Sequence, residues 1–180
     1  MKELSLHLLD IAQNSVTAGA TELELSLIQC GNVLTMKVAD NGCGMTPEFL
    51  ANVMDPFTTT RTTRKVGMGI PLLRMAAQLT GGDLDIQSAP GVGTTTTAVF
   101  HTDDIDCPPV GDLAGSLSLF LQGAPDTMET RYLHETDAGS FELDTREIRA
   151  ILGEGISLSE PDVALWLRDY ITENEAALTS

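Results

Sequence analysis

The sequence predicts an α+β sandwich, a two-layer arrangement with helices on one face of a mixed, mostly antiparallel sheet. Three observations carry this. Hydrophobic periodicity runs in the order helix, strand, strand, loop, helix, strand, strand over the first hundred residues. The strands come in pairs joined by short glycine-containing turns. A further strand and helix unit follows the stretch "DDIDCPPVGD".

Residues 3–18 read as a helix in which Leu4, Leu8, Ile11 and Ser15 form one stripe, widened by Leu9 and Val16. His7, Asp10, Asn14 and Thr17 form a polar stripe at the same spacing, and Gly19 stops the helix. "TELELSLI" and "VLTMKVAD" alternate as a hairpin around "QCGN". Residues 46–66 form a long connection with a short helical piece near "PEFLANVM"; such loops inside compact domains are usually functional. "GMGIPLLRMAAQLTGG" is a helix with glycines at its entrance, Pro71 in its first turn and Gly81-Gly82 as its stop. "DLDIQSA" and "TTTTAVFHT" are strands joined by "PGVG".

The organisation expected is a domain over residues 1–103 and an acidic extension over 104–180, packed on or extending the sheet. In the extension "SLSLFLQ", "TMETRYLHE" and "SFELD" read as strands. "TREIRAIL" reads as a helix with Asp144 and Glu147 spaced as a capping box. Ser159 and Asp162 share that spacing before a last helix, whose apolar stripe is read as Val163, Trp166, Tyr170 and Ile171.

The net charge is −16, and it is uneven: residues 101–180 hold 17 acids and 4 bases, against 9 and 6 in residues 1–100. This balance repels nucleic acid and anionic membrane and excludes both as expected partners. No run is long and apolar enough for a membrane-spanning helix. Three unclustered cysteines, Cys30, Cys43 and Cys107, give no disulfide or zinc framework, which points to a reducing cytoplasm.

Four features bear chemistry. Alternation places Asp40 on the same strand face as Leu34, Met36 and Val38, where a carboxylate requires hydrogen-bond donors. Taken alone, Asp40 reads equally as the start of an Asx turn with Asn41 and Gly42. Asp10 and Asn14 share a helix face, a carboxylate fit to accept a proton and an amide fit to hold Mg²⁺ together with water. "GMGIPLL" offers free backbone N–H groups at a helix start, where an anion is favoured. Arg61, Arg64 and Lys65 precede it in the long loop. Each of these is also an ordinary solvated face or turn when read singly, and no P-loop is present.

Their order is informative. An Asn-bearing helix, "DNGCGM", "DPFTTTR", "GMGI" opening a helix and "GVGTT" resemble the GHKL (Bergerat-fold) ATP-binding family. The similarity covers residues 3–100 and is greatest to the catalytic domain of sensor histidine kinases. It implies ATP and Mg²⁺ as cofactors. Asp40 would accept from the adenine amine, with Gly42, Gly44 and Met45 closing over the base and Thr94 completing the pocket. Asn14 would ligate Mg²⁺. Phe57, Thr60, Arg61 and Lys65 would belong to an ATP lid, with Arg61 on phosphate. Gly67, Met68, Gly69 and Ile70 would hold the triphosphate at the helix start.

Asp10 stands where many histidine kinases have a second Asn and gyrase-like ATPases a Glu; a carboxylate favours a general base. The chain starts at the nucleotide-binding helix, without the upstream histidine hairpin of a sensor kinase, so its layout resembles that of the anti-sigma serine kinases. The expected function is a stand-alone kinase acting on Ser, Thr or His of a regulatory protein, a phosphoacceptor or a sigma or anti-anti-sigma-like partner. An ATP-gated protein-binding switch and an ATP hydrolase using Asp10 are the alternatives. The family also admits a homodimer.

Overall fold

The computed structural model describes residues 2–53 and 69–179. Phe57, Thr60, Arg61, Lys65, Gly67 and Met68 of the expected phosphate-binding set lie outside the described residues.

Helix α1 (Leu4–Thr17) leads into strands β1 (Glu22–Cys30) and β2 (Val33–Asp40). Helices α2 (Pro47–Asn52) and α3 (Gly69–Leu79) precede β3 (Asp83–Ala89) and β4 (Gly93–His101). The remainder comprises α4 (Leu113–Gly123), β5 (Glu129–Thr136), β6 (Gly139–Asp144), α5 (Thr145–Leu152) and α6 (Pro161–Thr179). The strands form one sheet in the order β3-β4-β2-β1-β5-β6, antiparallel except where β5 runs parallel to β1. The extension therefore continues the sheet of residues 1–103 instead of folding apart from it.

Register explains why one face is dry. A single row crosses all six strands as Ile86, Thr96, Val38, Leu25, Tyr132 and Leu143, and every member is buried. With side chains alternating at period two, the rows two residues away share that face. Helices α1 and α3 cover it, through Leu4, Leu8 and Ile11 on one and Ile70 and Leu73 on the other; α4 and α6 pack beside them. The opposite face presents Glu24, Lys37, Arg131 and Glu142 to solvent. This is the half-solvated antiparallel pattern, and it is what the alternation in the sequence encodes.

Four expectations change. "SLSLFLQ" is helix α4, not a strand: Leu113, Leu117 and Leu121 recur every four residues, and Asp112 caps the helix by accepting from Gly115 N at 2.9 Å. Asp144 caps α5 by accepting from Arg146 N at 2.9 Å, not from residue 147. Ser159 does not open α6; Glu160 holds the cap position, its carbonyl accepting from Ala164 N at 2.9 Å. The inward stripe of α6 is Val163, Leu167 and Ile171. Trp166 and Tyr170 are 40% and 36% exposed and stack on each other with centroids 5.2 Å apart, while the Tyr170 ring also meets the buried Phe141 edge-on at 5.8 Å.

Helix α6 is tied to the sheet by Glu175. One of its carboxylate oxygens accepts from Tyr132 Oη at 2.7 Å, and the other pairs with His134 Nδ1 at 2.5 Å. Burial, reinforced by Glu175, pushes the Tyr132 phenol far above its ordinary range.

Candidate functional site

Two residues along from the core row, on the same face, the sheet turns polar. Ser88, Thr94 and Asp40 are laterally paired across β3, β4 and β2. Ser88 Oγ and Thr94 Oγ1 lie 2.8 Å apart, and Ser88 Oγ also accepts from Met45 N at 2.9 Å. This polar patch borders a cavity of about 380 Å³ between α1, the ends of β2 and β4, α2 and the start of α3. That volume suits a nucleotide-sized ligand.

Asp40 points into this cavity as its strand alternation requires. Its Oδ2 accepts from Ser15 Oγ at 2.6 Å and its Oδ1 from Gly42 N at 2.8 Å. Both partners are donors, so the carboxylate keeps acceptor capacity beside Thr94, in a cavity that Val38, Ile11 and Ile70 line with apolar surface. Such a wall can take a planar heterocycle and fix it by one exocyclic amine.

The loop after Asp40 is laced down on both sides. Cys43 N donates to Ala18 O at 3.0 Å, and Gly91 N donates to Cys43 O at 2.8 Å. Asn41 Oδ1 accepts from the backbone of Thr21 and Glu22 at 2.8 and 2.9 Å, which anchors the turn to β1. Gly44 has φ +72°, and a Cβ there would sit 2.0 Å from Ala89 O. A Cβ on Gly42 would lie 2.7 Å from Ala18 Cβ. Glycine is thus required at both positions for the loop to sit this close to the neighbouring backbone and the cavity wall.

Helix α1 supplies the other wall. Asn14 lines the cavity, and its Nδ2 is buried without a partner among the described residues. A terminal amide can present either its nitrogen or its oxygen, so this side chain has one unused polar group available to a phosphate or a metal ion. The arrangement fits Mg²⁺ held by one protein oxygen plus water and phosphate. Asp10 lies one turn earlier, 41% exposed and paired with Lys2. A Cβ on Gly69, the first residue of α3, would be 3.7 Å from Asp10 Cβ, so the stem of Asp10 lies against that residue.

Of the expected residues, Asn14, Asp40, Gly44, Met45, Ile70 and Thr94 line one cavity, with Gly42 behind Asp40. Asp10 and Gly69 stand together beyond these wall residues, at the start of α3. Ser15 and Ser88 belong to the site as well. Ser15 was legible only as a polar member of an inward stripe, and nothing in the sequence marked Ser88. His7, read as part of a polar face, is buried; burial, then the charge on Lys2, holds its imidazole below the ordinary value of 6.5, with Asp10 opposing.

A sheet backed by helices, with a carboxylate-floored cavity beside a glycine-opened helix, defines an ATP-binding sandwich of the Bergerat type. The profile of the histidine kinase-, DNA gyrase B- and HSP90-like ATPases matches residues 2–104, and the chain belongs to that family. It is 36% identical over 93 residues to the sensor protein kinase FleS of Pseudomonas aeruginosa, covering 51% of this chain and 23% of that one. It is 32% identical over 101 residues to the histidine protein kinase DivJ of Caulobacter vibrioides, covering 54% and 17%. The sensor histidine kinase ZraS of Klebsiella oxytoca gives 32% over 93 residues, 50% and 20%. The chain thus spans less than a quarter of the length of each of these relatives. In fold it is similar to the N-terminal domain of a DNA repair protein, with a TM-score of 0.58 at 15% identity over 86% of this chain and 58% of that one. Among the described residues no helix is long and apolar enough to cross a membrane.

Proposed function

We propose that this chain is a Mg²⁺-ATP-dependent protein kinase that moves the γ-phosphate to a Ser, Thr or His of a separate regulatory protein. The observation that carries the reading is the placement of Asp10. It is a solvent-reachable carboxylate, one helical turn from Asn14 and against the first residue of α3. Asp40 would receive the adenine amine on the cavity wall, Thr94 and Ser88 would complete that end, and Asn14 would hold the metal. Bound Mg²⁺ would supply charge neutralisation across the phosphates. With a Ser or Thr acceptor, Asp10 would accept the hydroxyl proton as the bond from γ-phosphorus to the bridging oxygen breaks, ADP leaves and the bond to the acceptor oxygen forms; with His, the new bond forms to a ring nitrogen and Asp10 would orient the imidazole.

Incubation of the full chain with γ-labelled ATP, with and without a lysate of its source cells, tests this. Transfer of label to a discrete second protein, lost in Asp10→Asn while ATP still binds, is expected. Release of free phosphate alone would make the chain a hydrolase. Tight ATP binding with neither labelled protein nor phosphate would make it a nucleotide-gated switch.

A further inference from the structure

Helix α1 has no side-chain cap: the Glu3 carboxylate accepts from none of its first-turn N–H groups, and the Glu3 carbonyl takes only those of Leu6 and His7. The backbone of the extension satisfies the first two. Leu4 N donates to Pro109 O and Ser5 N to Val110 O, each at 2.9 Å. The segment around residues 109–111 thus fixes where the chain enters α1, and so where Lys2 stands. Its ammonium pairs with Asp10. The stem of Asp10 in turn lies against Gly69, where α3 begins.

An uncompensated carboxylate at that place would repel the terminal phosphate of a bound triphosphate. From this juxtaposition we infer that Lys2 is a specificity-determining residue for the nucleotide. It offsets the charge of Asp10 and shares its ammonium with the γ-phosphate, so that the site prefers ATP to ADP. The preference depends on the extension, which holds the N-terminus in position. The inference rests on the reading of this cleft as a Mg²⁺-ATP site.

The test is calorimetric binding to the full chain, with Mg²⁺, of ADP and of a non-hydrolysable ATP analogue. Lys2 is one-third exposed, so Lys2→Met is compatible with the fold. The analogue is expected to bind about tenfold more weakly to Lys2→Met, with ADP unchanged within about twofold. In an Asp10→Asn background the same substitution is expected to cost less, because the charge it offsets is gone. An equal loss for both nucleotides, or no loss for the analogue, overturns the inference while leaving the cleft assignment intact. Asp40→Asn separates the two failures: if both ligands bind that variant as they bind the parent, the cleft assignment fails and the inference falls with it.

Discussion

Ser15 Oγ donates to Asp40 Oδ2 at 2.6 Å, joining the last turn of α1 to the last residue of β2. Ser15 is 1% exposed, so this bond is made in a dry environment and fixes the carboxylate against the helix. With Gly42 N on the other oxygen, Asp40 is held from two sides before any ligand arrives. Ser15→Ala removes one of them. It is expected to weaken ATP binding about fivefold and to narrow the margin between ATP and GTP, as read by competition binding.

Asp40→Asn presents an amide where the acceptor stood, and the Ser15 and Gly42 donors lose their charged partner. ATP affinity is expected to fall at least about tenfold, measured by calorimetry, with a melting temperature within a few degrees of the parent. Unchanged affinity would remove adenine from this pocket.

Gly44→Ala forces a side chain into φ +72° and toward Ala89 O, 2.0 Å from the new Cβ. The loop must lift off the turn between β3 and β4, breaking the bond from Gly91 N to Cys43 O. A loss of about 2–4 kcal/mol in chemical denaturation, together with loss of nucleotide binding, is expected. A variant as stable as the parent would show that the loop does not lie against Ala89.

The buried imidazole of His7 makes stability depend on pH. Its folded-state value lies below the unfolded 6.5, chiefly through burial. The unfolded chain therefore takes up the proton first, and the stabilisation present above 6.5 is lost as pH falls through the lower folded value. Melting temperature is expected to drop more steeply between about pH 6.5 and 5 in the parent than in His7→Leu. Parallel curves would refute the assignment.

Glu175→Ala leaves Tyr132 Oη and His134 without their shared acceptor inside the interface between α6 and β5. About 2–4 kcal/mol of stability is expected to go, seen as a shifted denaturation midpoint. Tyr132 carries its own signature. Its raised value means a contribution fully present below the unfolded 10.0 and lost as pH climbs beyond it. In an absorbance titration it is expected to ionise only when the chain unfolds.

Much of this architecture is legible in the sequence, and the reason is periodic burial. Strands covered on one face must alternate, so β1 to β4 and the inward aim of Asp40 follow from composition along the strand. The glycines at 42 and 44 are legible through the resemblance of "DNGCGM" to the family motif, and the close approach to Ala18 and Ala89 gives the physical reason. Where the text misleads, local pattern competes with tertiary partners. "SLSLFLQ" alternates by accident while its four-residue leucine spacing finds α1 and α6 to pack against. Trp166 stacks on Tyr170 at the rim, where Tyr170 also meets Phe141, and Leu167 and Ile171 take the core positions. Ser88 is invisible because its role depends on lateral pairing with Thr94, which no single strand records.

The parallel pairing of β1 with β5 carries a consequence for biosynthesis. Once β1 is made, β2 follows almost at once as its neighbour on one side, whereas the strand that covers its other edge comes only after β3, β4 and α4. Until residue 136 has cleared the ribosome, β1 keeps a row of unpaired backbone groups, an edge open to foreign strands. Nascent chains arrested before that point are expected to bind chaperones and to be cut by protease within β1. Chains released in full are expected to resist the same protease.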